Sequence, residues 1–213
     1  MTSAHLTEIR LNTRSGAVRS DLKRGGHGFH HRTSRLAPPD TTPEPHQARL
    51  LWRLDTFGNG LRLLVQTPDE PDLTTLPSDY GPARARPLDR HLDRLAQGNK
   101  VRYRLAANAV RWATDEITGL PLKNRIPCKG DEISHWFNRR TPAIGLQPET
   151  LSTYQLTTVT GSQDHNPGLR LALTRYDGIA TITDPDALRT AMLTGIGRGR
   201  AFGAGLLTIA PAH

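Results

Sequence analysis

Residues 184–211 read DPDALRTAMLTGIGRGRAFGAGLLTIAP, and their order predicts a helix, a glycine-rich loop and a buried strand. The glycines and arginines of the loop are Gly195, Gly197, Arg198, Gly199, Arg200, Gly203 and Gly205. Glycine backbone that carries guanidinium groups can lie against a phosphate chain where bulkier residues would collide. A dinucleotide-binding motif needs a strand before the glycines and a helix after them. The reversed order excludes that motif and leaves a phosphate-contacting loop or a glycine turn without a ligand.

Composition points to a polyanionic partner. The chain has 213 residues, with 28 lysines and arginines against 20 acidic residues, so its formal charge is +8. This balance favours nucleic acid, and the lack of a basic amphipathic helix with a bulky apolar face makes an anionic membrane surface the weaker alternative.

Cys128 is the only cysteine, which excludes an internal disulfide framework and a cysteine-rich zinc site.

Targeting signals are not evident in this sequence. The start, MTSAHLTEIRLN, lacks the apolar segment of a signal peptide. No apolar run is long enough to cross a bilayer. We therefore expect a soluble protein located in the cytoplasm.

The order of predicted elements repeats once. The first set comprises a strand at 6–12, a polar, basic and glycine-containing segment at 13–28, a helix at 29–36, a hairpin of strands 48–55 and 61–67 with an Asn59-Gly60 turn, a helical turn within 69–77 and an edge strand at 84–89. The second comprises a strand at 100–113, a basic loop at 120–130, a helix at 130–140, strands at 151–160 and 169–183, a helix capped by Asp184 and a strand at 201–210. Both sets follow the order β-α-β-β-α-β. We predict an α+β fold of two tandem ferredoxin-like (RRM-like) domains, 1–97 and 98–213.

A histidine cluster opens the first predicted helix. Histidine side chains titrate near neutral pH and can exchange protons without a metal. His27, His30 and His31 are the candidates here, with Arg32 or Arg35 as the cation near a phosphate. RNA supplies its own nucleophile, the 2′-hydroxyl. The alternatives are solvated surface histidines and a metal shared by His27 and His31, although no acidic or cysteine ligand lies beside them.

Two further basic groups are candidates for holding RNA. Lys123, Arg125 and Lys129 lie among Pro, Asn and Gly residues in the predicted loop 120–130. Arg139 and Arg140 follow at the end of the next predicted helix, where cations also stabilise the helix dipole.

Several segments together resemble the CasE family, the CRISPR RNA-processing endoribonucleases of the type I-E Cascade complex. The similar segments are DLKRGGHGFHHRTSRLAP (21–38), LRLLVQTPDEPD (61–72), YRLAANAVRWA (103–113), LKNRIPCKG (122–130) and DGIATITDPDALRTAMLTGIGRGRAFGAGLLTIAP (177–211). The last of these is the most specific, and the resemblance covers nearly the whole chain.

The resemblance implies a metal-independent endoribonuclease without a cofactor. Such a protein cuts the stem-loop repeat of precursor CRISPR RNA, leaves a 2′,3′-cyclic phosphate and stays on the hairpin with the other Cascade subunits. By position, the catalytic histidine of the family falls on His30, with the neighbouring His31 as the alternative and Arg35 as the assisting basic residue. His27 stands where the family often has a tyrosine, and Ala37 where it has a phenylalanine. Gly197, Arg198 and Arg200 would join the basic residues above in holding the RNA.

Two other functions remain open from the sequence. A non-catalytic subunit of the same fold would bind the hairpin and use the His27–Arg35 region only for packing. An unrelated ferredoxin-like RNA-binding protein would bind different hairpins with equal affinity.

Overall fold

The structure, a computed structural model, describes residues 4–37, 49–115, 117–160 and 170–212. The sequence also predicts a loop at residues 40–46, which lies outside these ranges. Among the described residues, no helix is long and apolar enough to span a membrane.

The first half of the chain forms a four-stranded antiparallel sheet with helices connecting its strands. Its elements are β1 (His5–Leu11), α1 (Gly16–Arg24), α2 (Gly26–Ser34), β2 (Leu51–Phe57), β3 (Gly60–Thr67), β4 (Ala83–Pro87) and α3 (Asp89–Leu92). The strand order is β2-β3-β1-β4. This order is the one expected for a ferredoxin-like unit, and β4 lies at the edge, as the proline in its sequence predicts.

The hairpin turn lies one residue earlier than predicted. Phe57 pairs with Gly60, so Gly58 and Asn59 form the two-residue loop rather than Asn59 and Gly60. Gly58 has φ 55°, a left-handed conformation in which glycine carries no Cβ penalty.

No helix is predicted within the polar segment 13–28, but the structure has α1 there. The Ser15 side chain accepts a hydrogen bond from the Val18 backbone N–H and caps the helix. Gly25, with φ 55°, separates α1 from α2. As a result α2 begins at Gly26 and ends at Ser34, earlier than the predicted 29–36.

The second half forms a larger antiparallel sheet and two small ones. Its elements are β5 (Lys100–Asn108), β6 (Val110–Thr114), β7 (Pro121–Pro127), α4 (Asp131–Asn138), β8 (Leu146–Pro148), β9 (Ser152–Gln155), β10 (Val159–Thr160), β11 (Arg170–Leu171), β12 (Leu173–Ile182), α5 (Pro185–Thr194) and β13 (Leu207–Pro211). The main sheet has the order β13-β5-β12-β8, and β9 also pairs with β12. Asp184 caps α5 by accepting from the N–H groups of Asp186 and Ala187, which confirms its predicted role.

Several predicted elements in this half need correction. The strands predicted at 151–160 and 169–183 are each divided in two, β9 and β10 in the first case and β11 and β12 in the second, and β8 is not predicted. The strand predicted at 100–113 is two strands, β5 and β6, interrupted at Ala109. The loop predicted at 120–130 is mostly β7, which pairs with β6 in a separate hairpin. The last strand starts at Leu207 rather than 201, because residues 200–202 form a 3₁₀ turn between left-handed Gly199 and Gly203.

The two halves share the largest hydrophobic cluster, and a second cluster lies within the first half. The largest buried cluster contains Leu51 and Leu64 from the first sheet together with Leu105 and Leu193 from the second half. Buried Arg53 adds polar contacts across the same boundary. Its guanidinium pairs with Asp55, with Nε 2.8 Å from Oδ1, and donates to the backbone carbonyls of Leu206 (2.8 Å) and Arg104 (3.0 Å). One face of the first sheet is therefore fixed against the second half.

Candidate active site

The predicted histidines divide between two sides of α2. His27 and His30, three residues apart on one helical face, both contact the ring of Phe202. The ring centroids lie 5.1 Å apart for His27 and 5.9 Å apart for His30. His31 is exposed. The helix and the 3₁₀ turn 200–202 therefore bring His27 and His30 together and leave His31 outside the group.

Two glycines allow α2 to approach its neighbours closely. A Cβ on Gly26 would lie 2.5 Å from Val159 Cγ1 and 3.3 Å from the Phe202 ring. A Cβ on Gly28 would lie 2.6 Å from the Asp21 carbonyl oxygen of α1. Any larger residue at either position would push the helix away from the turn or from α1, so these glycines set the position of the histidines.

The 3₁₀ turn is held by Trp52 of β2. The indole Nε1–H donates to the Ala201 carbonyl oxygen at 3.0 Å. Gly203 lies flat on the same indole, since its Cβ would come within 2.7 Å of the ring, and its φ is 86°. The other neighbour of the indole is Phe29 of α2, at 5.5 Å between centroids. The first sheet thereby joins α2 to residues 195–205, the glycine-rich segment.

His30 lies in a partly dehydrated position. Burial lowers its pKa below the ordinary histidine value, and the nearby His27 and His31 lower it further. Its Nδ1 atom is buried and has no hydrogen-bond partner among the described residues. A histidine in this setting is neutral at pH 7, which leaves one ring nitrogen able to accept a proton.

The two arginines considered as phosphate ligands differ in their contacts. Arg32 pairs with buried Asp21, with Nε 2.9 Å from Oδ2, and stacks over the Tyr80 ring. The Tyr80 hydroxyl donates to the same carboxylate at 2.9 Å. Arg35 instead lies exposed at the end of α2. Arg32 is therefore engaged in joining α1 to α2, and Arg35 is the one available to a ligand.

The two arginines of the glycine-rich segment also differ in their contacts. Arg200 donates to the carbonyl oxygens of Thr194 (2.8 Å) and Gly197 (3.1 Å), which closes the loop after α5. Burial lowers its pKa, with a further contribution from Arg49. The Arg198 side chain is exposed, and its backbone pairs with that of Asn108 at the end of β5 in an isolated antiparallel β-bridge. Its guanidinium is thus the one of the pair that faces solvent.

The β6–β7 hairpin carries exposed basic and aromatic side chains. Lys123 and Arg125 are exposed on β7, and the Arg125 guanidinium stacks on Trp112 at 4.0 Å. Trp112 itself is 48% exposed. Lys129 follows the hairpin with its side chain exposed, while its backbone N–H donates to Glu132 of α4.

The arginines at the end of α4 lie close to the glycine-rich segment. Arg140 stacks on Trp136 at 3.8 Å and donates to the Trp136 carbonyl oxygen at 2.9 Å. Trp136 also contacts Gly197, whose Cβ would lie 3.4 Å from the indole. Arg139 is exposed. Of the residues predicted to hold RNA, Arg140 and Gly197 therefore meet at one buried tryptophan.

Acidic and thiol ligands are scarce around these histidines. Over the part of the chain that the structure describes, no group of three or more His, Cys, Asp and Glu side chains is arranged to hold a metal ion. Of the two histidines considered as metal ligands, His27 packs on Phe202 and His31 points to solvent.

A family model described as CRISPR associated protein matches residues 4–211, nearly the full chain. This chain belongs to that family. A curated relative, the CRISPR-associated endoribonuclease Cse3 of Thermus thermophilus, aligns over almost its entire length. The two are 32% identical over 220 residues, covering 97% of this chain and 99% of the relative.

Solved structures of CRISPR-associated proteins share the fold. The structure of Thermus thermophilus Cse3 bound to an RNA representing a pre-cleavage complex has a TM-score of 0.81 and 27% identity, and the match covers 98% of this chain and 100% of that chain. A chain of a CRISPR RNA-guided surveillance complex, in a pre-nicking state, has a TM-score of 0.72 and 34% identity, with the same coverage of both chains. The predicted family and the α+β fold of ferredoxin-like units are therefore confirmed.

Proposed function

We propose that this protein is a metal-independent endoribonuclease that cuts precursor CRISPR RNA in its stem-loop repeat. We further propose that it keeps the mature guide RNA and joins the other Cascade subunits. The observation that carries this proposal is the pairing of His27 and His30 on Phe202, beside a glycine-rich segment with an exposed Arg198. The membership of the family and the similarity to an endoribonuclease support it.

The proposed reaction uses three side chains of α2 and its end. Neutral His30 removes the proton from the 2′-hydroxyl, whose oxygen attacks the adjacent phosphorus. The bond from phosphorus to the 5′-oxygen breaks, and protonated His27 gives its proton to that oxygen. Exposed Arg35 stabilises the added negative charge on the phosphate. The products are a 2′,3′-cyclic phosphate and a 5′-hydroxyl.

The remaining basic residues would hold the RNA. Exposed Lys123, Arg125, Lys129, Arg139 and Arg198 would contact phosphates along the A-form stem. Half-buried Arg140 and Arg200 would contribute mainly by shaping the surface around Trp136 and Gly197, because several of their donors bond to backbone carbonyls.

We assign the two ferredoxin-like units to domains 1–97 and 98–213. The boundary falls between α3 and β5, and each side has its own sheet with related strand order. We also propose that the protein acts in the cytoplasm, since that is where a prokaryotic cell transcribes the proposed RNA substrate.

The test is cleavage of the host's own CRISPR repeat RNA in the presence of EDTA. We expect the wild-type protein to cut the repeat at one position, to leave a 2′,3′-cyclic phosphate and to bind an unrelated hairpin more weakly. Tight binding of the repeat without any cleavage would favour the non-catalytic subunit. Cleavage that stops when EDTA is added would contradict the metal-free reaction, and equal affinity for unrelated hairpins would contradict the proposed substrate.

The pH dependence of cleavage should reflect the lowered pKa of His30. Since burial and the neighbouring histidines favour the neutral imidazole, the base form persists below the ordinary midpoint of about 6.5. We expect the acid limb of the single-turnover rate to have its midpoint below about pH 6.5. A midpoint above pH 7 at constant ionic strength would contradict the role of His30 as base.

The β6–β7 hairpin should contribute to the salt dependence of RNA binding. Replacing both Lys123 and Arg125 by alanine removes two exposed cations. We expect the slope of log affinity against log salt concentration to decrease by roughly 1.4–1.8, because each of the two lost phosphate contacts changes it by roughly 0.7–0.9. The control is Lys100→Ala, which removes an exposed lysine paired with Glu149 and outside the proposed RNA-holding set. Equal slopes for the double variant and the wild type would show that the hairpin does not contact the phosphates.

A further inference from the structure

We propose that Phe202 is a positioning residue, whose ring fixes His27 and His30 in the geometry that the reaction needs. This inference rests on the proposed endoribonuclease function. The proposed chemistry on α2 then depends on the glycine-rich segment, because Phe202 follows His30 by 172 residues in the chain. Phe202 acts through the two imidazoles and does not itself contact the reacting atoms.

The first observation is that both imidazoles use the same ring. His27 meets Phe202 edge-on, with an interplanar angle of 71°, and His30 meets it at 49°. Aromatic pairs at these separations are directional and favour tilted or edge-on arrangements. Because the two histidines share one surface, a change of that surface would move both of them at once.

The second observation is that the ring itself is held from several sides. The Phe202 N–H donates to the Gly199 carbonyl oxygen at 2.8 Å, which closes the turn. The neighbouring Ala201 carbonyl accepts from the Trp52 indole, and Gly203 lies against the same indole. Phe202 also packs against a small apolar cluster whose buried members include Leu171 and Leu173. Such a support restricts the ring to one position, as a site that orients catalytic groups requires.

The third observation concerns the environment of His30. An apolar ring along one side of the imidazole removes water, and burial is the largest cause of its lowered pKa. Two of the charged groups on the adjoining elements have other partners. In the turn, Arg200 bonds to the carbonyl oxygens of Thr194 and Gly197, and in α1 Asp21 pairs with Arg32 and Tyr80. On α2 itself, His27 and His31 add their own effects.

The test compares three variants of the full chain. Phe202→Ala removes the ring, Phe202→Tyr keeps it, and Trp52→Phe removes only the indole hydrogen bond to Ala201. For Phe202→Ala we expect single-turnover cleavage at saturating protein to fall on the order of 10- to 100-fold, as for a small misplacement of catalytic groups. We also expect the NMR titration of His30 in the RNA-free protein to move to higher pH. Phe202→Tyr should keep both the cleavage rate and the His30 titration close to those of the wild type. Trp52→Phe should change both in the same direction as Phe202→Ala, but by less.

The control variant is Phe137→Leu, a buried aromatic in the core of the second half. It should lower the stability of the protein and leave the His30 titration unchanged. If Phe202→Ala changes neither the His30 titration nor the cleavage rate, the inference is wrong. If the wild-type protein does not cut the repeat RNA, the proposed function fails instead, and the His30 titration alone decides whether Phe202 sets the environment of the imidazole.

Discussion

Replacing His30 by alanine should reduce the cleavage rate on the order of 10²- to 10⁴-fold, the usual contribution of a general acid or base. The variant loses the only group proposed to take the 2′-hydroxyl proton. Affinity for the repeat hairpin should stay close to that of the wild type, because exposed basic residues on β7 and in the glycine-rich segment are proposed to hold the RNA. The measurement is single-turnover cleavage at saturating protein, together with a binding isotherm.

The matched control is His31→Ala, one residue away on α2. His31 is exposed and does not share the Phe202 ring with the other two histidines. We expect a change in cleavage rate of less than about threefold, since a solvated side chain outside the site contributes little. A large loss in His31→Ala with a normal rate in His30→Ala would reverse the assignment of the base.

Replacing Arg53 by leucine should destabilise the protein by about 3–5 kcal/mol, the cost of leaving one partner of a buried ion pair without the other. Burial by itself would raise the pKa of Asp55, but its hydrogen bonds and ion pair with Arg53 hold the pKa below the usual range. The variant also loses the hydrogen bonds from Arg53 to the Arg104 and Leu206 carbonyls, which join the two sheets. Urea unfolding measures the change in the free energy of unfolding.

A double variant provides the control for this prediction. Arg53→Leu combined with Asp55→Leu removes both charges, so no carboxylate stays buried without its main partner. We expect the double variant to be more stable than Arg53→Leu alone, because paired apolar replacements of a buried ion pair are often close to neutral. A loss below about 1 kcal/mol in the single variant would show that Arg62 and Arg104, at 3.5 and 3.8 Å from Asp55, compensate for Arg53.

The sequence predicts those elements whose hydrophobic pattern is strong. The strands of the first hairpin, the helix α4 and the capped helix α5 all overlap the predicted segments, with boundaries shifted by a few residues. The helix α1 was missed because Val18 is its one buried large apolar residue, so its sequence lacks a clear helical period. The strand β7 was missed because nearly all its side chains are exposed, and the alternation typical of a half-buried strand is absent.

The candidate active site is predictable in part. The resemblance points to His30 and Arg35 by position, and to His27 in the place of the family's tyrosine. The shared helical face of His27 and His30 is not predicted, because the predicted helix begins at residue 29 whereas α2 begins at Gly26. The support of these histidines is not predictable, because Trp52 and Ala201 are 149 residues apart and Phe202 meets α2 only after both halves have folded. The engagement of Arg32 with Asp21 is likewise a tertiary contact between two helices, one of which the pattern did not predict.

The central claim is that the 2′-hydroxyl of the RNA is the nucleophile and that the side chains of α2 and its end carry out the proton transfers. The most direct measurement uses the repeat RNA with a single 2′-deoxy nucleotide on the 5′ side of the mapped cut, incubated with the wild-type protein in EDTA. The account predicts that the all-ribose RNA is cut, and that the 2′-deoxy RNA binds with the same affinity and stays intact. Cleavage of the 2′-deoxy RNA at that position would contradict the account, because another nucleophile would then be at work.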